Sequence, residues 1–249
     1  MKYMGSKARI AKCILPIILK NRKEGQCYVE PFVGGANMID KVDGWRIGAD
    51  SNKYLIAMFK GCVDGRDQGI DASKEFYSKV RDCYNKGLHT FDDFTIGLVG
   101  FMCSANGRFF EGGYSGVSTT KSGKVRDYID ESIRGLTKQL PDLEDVDFIC
   151  STYENLEIPK ASIIYCDIPY YGTKQYSTSK GFDYPKFWQW CRDKAKDGHQ
   201  VFISEYSAPE DFVCVWQQEV KSSLSANGKS GGNKLSIEKL FVHESQVKA

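Results

Sequence analysis

The sequence predicts an α/β fold: a doubly wound, mostly parallel, Rossmann-like sheet carrying an inserted, mainly helical lobe. Three observations lead there. Val146–Cys150 and Ser162–Cys166 are short apolar runs, the pattern of strands buried on both faces of a parallel sheet. A glycine turn, Pro31 to Asn37, follows the first strand-like segment and is succeeded by a second one that ends in Asp50. Between about residues 60 and 145 the pattern becomes helical, and the strand signal then returns.

The elements follow in order. Residues 6 to 22 have helical apolar spacing, with Pro16 expected to kink or bound the helix. Cys27 to Glu30 reads as a strand, Arg46 to Ala49 as another, and Asn52 to Val63 as a helix. Residues 71 to 103 look helical with a break at 87 to 90; residues 104 to 125, rich in Gly, Ser, Thr and aromatics, suit a loop or hairpin. Arg126 to Leu140 is helical, Tyr184 to Lys196 is helical, and Gln200 to Ser204 is a strand. The tail from Phe212 to Val242 is expected to close the sheet as a β-hairpin around Asn227-Gly228 and Gly231-Gly232. The expected organisation is a core domain of residues 1–60 and 146–249, with residues 61–145 as the inserted lobe.

A chain of 249 residues with 41% hydrophobic content can bury a core and lies far from the composition of disordered chains. No run reaches the roughly 18 apolar residues of a membrane span, and no signal-peptide pattern opens the chain. The expectation is a soluble, intracellular protein. Nine scattered cysteines without a Cys-x-x-Cys pair, and three separated histidines (His89, His199, His243), point to neither a disulfide framework nor a metal. The net charge of +2 is unevenly placed. Residues 1 to 30 carry seven basic groups against two acids, and Ser115 to Arg126 carries three and none, which suits a polyanion or an ordinary solvated surface.

The chemistry concentrates in three places. Glycines in the turn Glu30-Pro31-Phe32-Val33-Gly34-Gly35-Ala36 let backbone approach a ligand without a Cβ between them. Asp50, 20 residues after Glu30, is spaced to accept from a ribose diol. The incomplete Gly-x-Gly-x-x-Gly favours a nucleoside cofactor without phosphates. The alternative for both is a structural tight turn and a helix-capping aspartate. The third place is Asp167-Ile168-Pro169-Tyr170, at the end of a buried strand. An exocyclic amine conjugated to a base is a poor nucleophile. Acceptors on its N–H groups, here the Asp167 carboxylate and the Ile168 carbonyl, shift its nitrogen toward sp³ character. Pro169 restricts Ile168, and Tyr170 offers a flat face to an extruded base. By itself this tetrapeptide names an amine-directed chemistry, not a substrate.

These segments resemble the Dam-like (D12 class) DNA adenine-N6 methyltransferases, especially the short forms of phages and prophages. The matching stretches are Lys2-Tyr3-Met4-Gly5-Ser6-Lys7, Glu30 to Gly35, Asp50-Ser51-Asn52-Lys53, Asp167 to Tyr170 and Ser204-Glu205-Tyr206-Ser207-Ala208-Pro209, in the order of that class. The resemblance implies a methyltransferase fold, S-adenosylmethionine as methyl donor and double-stranded DNA as partner. It implies donor contacts at Tyr3, Lys7, Phe32, Gly34, Gly35, Asp50, Tyr153 and Asp167. It makes Asp167 the catalytic acid and Tyr170 the stacking residue. It also implies a cytoplasmic protein of a bacterium or phage-infected cell, a short DNA site such as GATC, and no metal; a monomer is the simplest reading. Two positions depart from the pattern: Ile168 replaces the family's first proline, and Thr152 stands where an acid commonly precedes the aromatic Tyr153.

The lobe resembles the family's DNA-contacting hairpin at Asn106 to Phe110 and Gly112 to Tyr114. There Arg108 is a candidate for a guanine edge or phosphate, Phe109 for a wedge, and Lys121, Lys124 and Arg126 for phosphates. Lobe packing or plain surface is the alternative for each. Methylation of cytosine N4 or of RNA adenine, and a DNA-binding protein with a degenerate pocket, are the competing functions.

Overall fold

A computed structural model describes residues 1–66, 68–120, 122–172, 181–221 and 235–247. The principal strands are β1 (Tyr28–Glu30), β2 (Arg46–Asp50), β5 (Val146–Cys150), β6 (Ile163–Asp167), β7 (Gln200–Glu205), β8 (Phe212–Lys221) and β9 (Leu235–His243). A separate two-stranded ribbon is made of β3 (Val117–Thr119) and β4 (Val125–Asp127). The helices are α1 (Ala11–Ile18), α2 (Lys53–Val63), α3 (Lys74–Asn85), α4 (Asp93–Met102), α5 (Tyr128–Gln139) and α6 (Tyr184–Lys196). Strand β2 lies beside β5, and the remaining five run in the order β1-β6-β7-β9-β8. In open parallel sheets ligands bind beyond the carboxyl ends of the strands. The expected α/β architecture is therefore present.

The chain forms two compact units, Met1–Ala11 with Val33–Leu156, and Lys12–Phe32 with Glu157–Ala249. In the first, β2 pairs in parallel with β5 from Arg46↔Val146 to Asp50↔Cys150. Helix α2 starts where Asn52 caps it, its side chain accepting from Tyr54 N and Leu55 N. Helix α4 is buried along its length and runs against α2 at Gly97, where a Cβ would lie 2.1 Å from the Tyr54 carbonyl oxygen. Ser73 and Asp92 cap α3 and α4, so the predicted break at 87 to 90 is a true interruption. The predicted helix from Arg126 begins later, at Tyr128. Residues 125 to 127 pair with 117 to 119 instead, and the Asp127 carboxylate then caps α5 through Ile129 N and Asp130 N.

In the second unit β1 pairs with β6 and β6 with β7, all parallel. Strand β9 inserts antiparallel beside β7, and β8 pairs with β9 with a bulge at Cys214/Trp216. This is the predicted closing hairpin; its predicted turn residues Asn227-Gly228 and Gly231-Gly232 lie outside the described residues. Helix α1 is shorter than the predicted span of 6 to 22. Pro16 has no N–H for the Lys12 carbonyl, and the helix ends two residues later.

Candidate active site

In the first unit, the glycine turn is built against Tyr3. A Cβ on Gly35 would sit 2.5 Å from Tyr3 Cβ, and one on Gly34 would sit 2.8 Å from Tyr3 Cε1. The glycines thus admit the ring of Tyr3, itself a candidate donor contact. Gly34 also has φ of +46°, and Ala36, without a glycine's freedom, has φ of +53°. Asp50 is not the helix cap; that is Asn52. The Asp50 carboxylate accepts from Asn52 N at 2.9 Å and from Gly34 N at 3.3 Å, tying the turn to the end of β2. Burial pushes its pKa up, against the downward pull of these two N–H groups. Lys7 is buried and its Nζ donates to the Gly5 carbonyl at 3.1 Å. Tyr153 is buried just beyond β5, and Thr152 beside it is exposed.

In the second unit, Asp167 ends β6, opposite Ser204 of β7 in the register. Three groups hold the turn that follows. Tyr184 Oη donates to the Pro169 carbonyl at 2.8 Å. The Glu205 carboxylate, buried at the end of β7, accepts the backbone N–H groups of Tyr171, Tyr206 and Ser207. Tyr170 donates its hydroxyl to Glu238 Oε2 at 2.7 Å, and its ring meets Tyr206 edge to face at 4.5 Å and 80°. Burial, reinforced by the charge of Asp167, raises the Tyr170 phenol well above its ordinary pKa, so it stays a donor. Ile168 is buried, which an apolar residue tolerates without a partner. Phe32, after β1, packs edge-on against Phe182 and Phe187. An open cleft of about 200 Å³ lies beside the turn, lined by Tyr171, Tyr184, Trp188, Glu205, Ser207 and Pro209.

The candidate DNA-contacting residues divide. Arg108 follows a corner whose Asn106 has φ of +58°, and its Nε is buried without a hydrogen-bond partner among the described residues. Phe109 lies in an aromatic cluster, stacked on Tyr54 at 5.5 Å and touching Phe101 at 4.9 Å. A wedge role would require the ring to leave that packing. Lys124 is exposed in the turn of the β3–β4 ribbon. Arg126 makes a two-pronged pair with Glu131, at 2.7 and 2.5 Å, and lies over the Tyr128 ring. Lys121 lies outside the described residues.

Sequence reasoning missed Tyr184, Glu205 and Glu238. Glu205 stood inside a segment already matched to the family, and its place at a strand end was a usable signal. Glu238 sits on a weakly alternating strand, and nothing local distinguishes it. Among the described residues all nine cysteines are free, and no cluster of three or more His, Cys, Asp or Glu could hold a metal ion. Among them, no helix is long and apolar enough to cross a membrane.

A family model described as D12 class N6 adenine-specific DNA methyltransferase matches residues 3–209. A curated relative, the Type II methyltransferase M.MjaIII of Methanocaldococcus jannaschii, is 25% identical over 201 residues, covering 68% of this chain and 68% of its own.

Proposed function

This chain belongs to the D12 class of N6 adenine-specific DNA methyltransferases, and on that premise we propose that S-adenosylmethionine is its donor and that Asp50 and Asp167 are the carboxylates that organise the transfer. Asp50 fits the donor's ribose. An ionised carboxylate has about four lone-pair sites, and two backbone N–H groups fix its orientation while leaving acceptors for a diol. Tyr3, Lys7, Phe32, Gly34, Gly35 and Tyr153 are the further donor contacts in this reading. When bound, the donor supplies an electrophilic methyl group.

The remaining chemistry belongs to the chain and the base. An adenine turned out of the duplex presents its amine to Asp167, which accepts one N–H, and to the Ile168 carbonyl, which accepts the other. Both contacts would raise electron density on N6, whose lone pair would take the methyl carbon in line as its bond to the donor's sulfur breaks; the neutral thioether would leave and one N6 proton would pass out through the hydrogen bond to Asp167, with no covalent enzyme intermediate. The Tyr170 ring stacks on the base. The observation that carries this reading is the bracing of that turn: Tyr184 holds the Pro169 carbonyl, Glu205 the Tyr171 N–H, and Glu238 the Tyr170 hydroxyl. Such bracing keeps acceptors and ring in place before the base arrives, which is what preorganised catalysis requires. Only the carbonyl of Ile168 acts, so the absence of proline there leaves the chemistry intact.

Residues 61–145 are proposed as the DNA-recognition lobe, with Arg108 and Lys124 as contacts and Arg126 joining when a phosphate replaces Glu131. Tritiated methyl transfer to duplex DNA tests the assignment. Asp167→Ala should lose at least about 10²-fold in kcat, the usual scale for one preorganised polar group, while keeping its unfolding temperature. Wild-type turnover in that variant would remove Asp167 from the mechanism. Calorimetry with S-adenosylmethionine should show binding that Asp50→Ala weakens.

A further inference from the structure

The glycine turn is held by a residue of α5, within the same compact unit. Gln139 is the last residue of α5, and its side chain is buried. Its Nε2 donates to the Ala36 carbonyl at 2.8 Å, the Gly35 carbonyl at 3.2 Å and Asp40 Oδ2 at 2.9 Å. Its Oε1 accepts from the Met1 amine, which fixes the amide's orientation, since three acceptors face the nitrogen and a donor faces the oxygen.

These contacts fall on the strained part of the turn. Ala36 sits at φ of +53° and Gly34 at +46°. A non-glycine residue persists there only where its surroundings over-determine it. Next along the turn, the Gly34 N–H donates to Asp50 Oδ2. A continuous path therefore runs from Gln139 through the carbonyls of residues 35 and 36 to the Asp50 carboxylate.

We propose that Gln139 is a positioning residue for the methyl donor: it sets the glycine turn, and through Gly34 the Asp50 carboxylate, in the geometry that accepts the donor. The inserted lobe thereby contributes to donor binding as well as to DNA recognition. This rests on the reading of Asp50 as the ribose ligand.

Two variants test it. Gln139→Met keeps the volume and loses both donors; Gln139→Glu keeps the length and the acceptor and loses both donors. In each, the KM for S-adenosylmethionine should rise about 10-fold, the loss of roughly one net hydrogen bond's effect, while kcat per folded molecule stays within about two-fold. A merely structural role would lower the unfolding temperature and the folded fraction and leave the KM of the folded molecules unchanged; that result overturns the proposal. The wild-type protein supplies a second measurement independent of whether the variants fold. S-adenosylmethionine should slow amide hydrogen exchange at residues 34–40 and at the end of α5 together. Slowing confined to the turn also overturns it. If Asp50→Ala binds the donor as tightly as wild type, the underlying donor-site reading fails instead.

Discussion

Replacing Gly35 by alanine would place a methyl group where Tyr3 already sits. The new Cβ would lie 2.5 Å from Tyr3 Cβ, 3.0 Å from Tyr3 Cγ and 2.6 Å from Asn37 Nδ2. Carbon atoms in contact prefer about 3.5–4.0 Å, so the Tyr3 contact must open by about 1.0–1.5 Å. The Asn37 amide is the end of a flexible side chain and can turn away. The Tyr3 Cβ cannot, because it is bonded directly to the backbone and no rotamer moves it. The segment carrying Tyr3 must therefore shift. Overpacking of this kind costs about 1–3 kcal/mol, and misplacement of a positioning group by about 1 Å can cost up to 10²-fold in rate. Urea unfolding of Gly35→Ala should show a stability loss in that range, and tritiated methyl transfer a raised donor KM with a lower kcat/KM. Tyr3→Gly in the same chain removes the opposing Cβ. It should recover much of the stability, a favourable coupling of about 0.5–3 kcal/mol, without recovering donor affinity. Wild-type stability and KM in Gly35→Ala would refute the reasoning, because the glycine would then be dispensable to the packing of Tyr3.

Glu131 accepts from Arg126 and Lys2, and these cations, Arg126 first, lower its pKa from 4.5 to about 2. A carboxylate whose folded pKa is depressed stabilises the fold above its unfolded pKa and loses that effect as pH falls through the folded one. The gap in unfolding temperature between wild type and Glu131→Gln should therefore be open at pH 6, close between 4.5 and 2, and shrink in 1 M salt; a gap constant across this range contradicts the ion-pair account. Lys124→Ala should weaken duplex binding about equally for all sequences and reduce the salt slope of log K by about 0.9. A sequence-selective loss in a filter-binding titration would make Lys124 a base reader instead.

Much of the fold was legible because its signals are local. The apolar run Ile163 to Cys166 can be satisfied only by burial on both faces. In the structure Asn52, Ser73, Asp92 and Asp127 cap their helices through hydrogen bonds that span two or three residues. Where local signals competed, the longer-range one prevailed. Arg126 and Asp127 read as the start of a helix, yet they pair with Ser118 and Val117 across the ribbon. For Phe109 the sequence leaves a wedge, lobe packing and plain surface open; its ring packs against Phe101 and against Tyr54 and Tyr84, the last two distant in the chain.

By itself the sequence determined the class of chemistry. A carboxylate, a carbonyl held by proline and an aromatic at a strand end form a contiguous tetrapeptide, and contiguous residues bring their geometry with them. Asp50 and the glycine turn were readable for the same reason. What only the tertiary structure decided is how those groups are held. Glu205 and Glu238 reach the tetrapeptide's turn from strands 34 or more residues away, and Gln139 reaches the glycine turn across 103 residues. The glycine turn also makes room for Tyr3, from a segment about thirty residues earlier in the chain. A hydrogen bond or a van der Waals contact has a range of a few ångströms and no dependence on sequence separation. The supports of an active site therefore leave no pattern in the chain until the chain is folded.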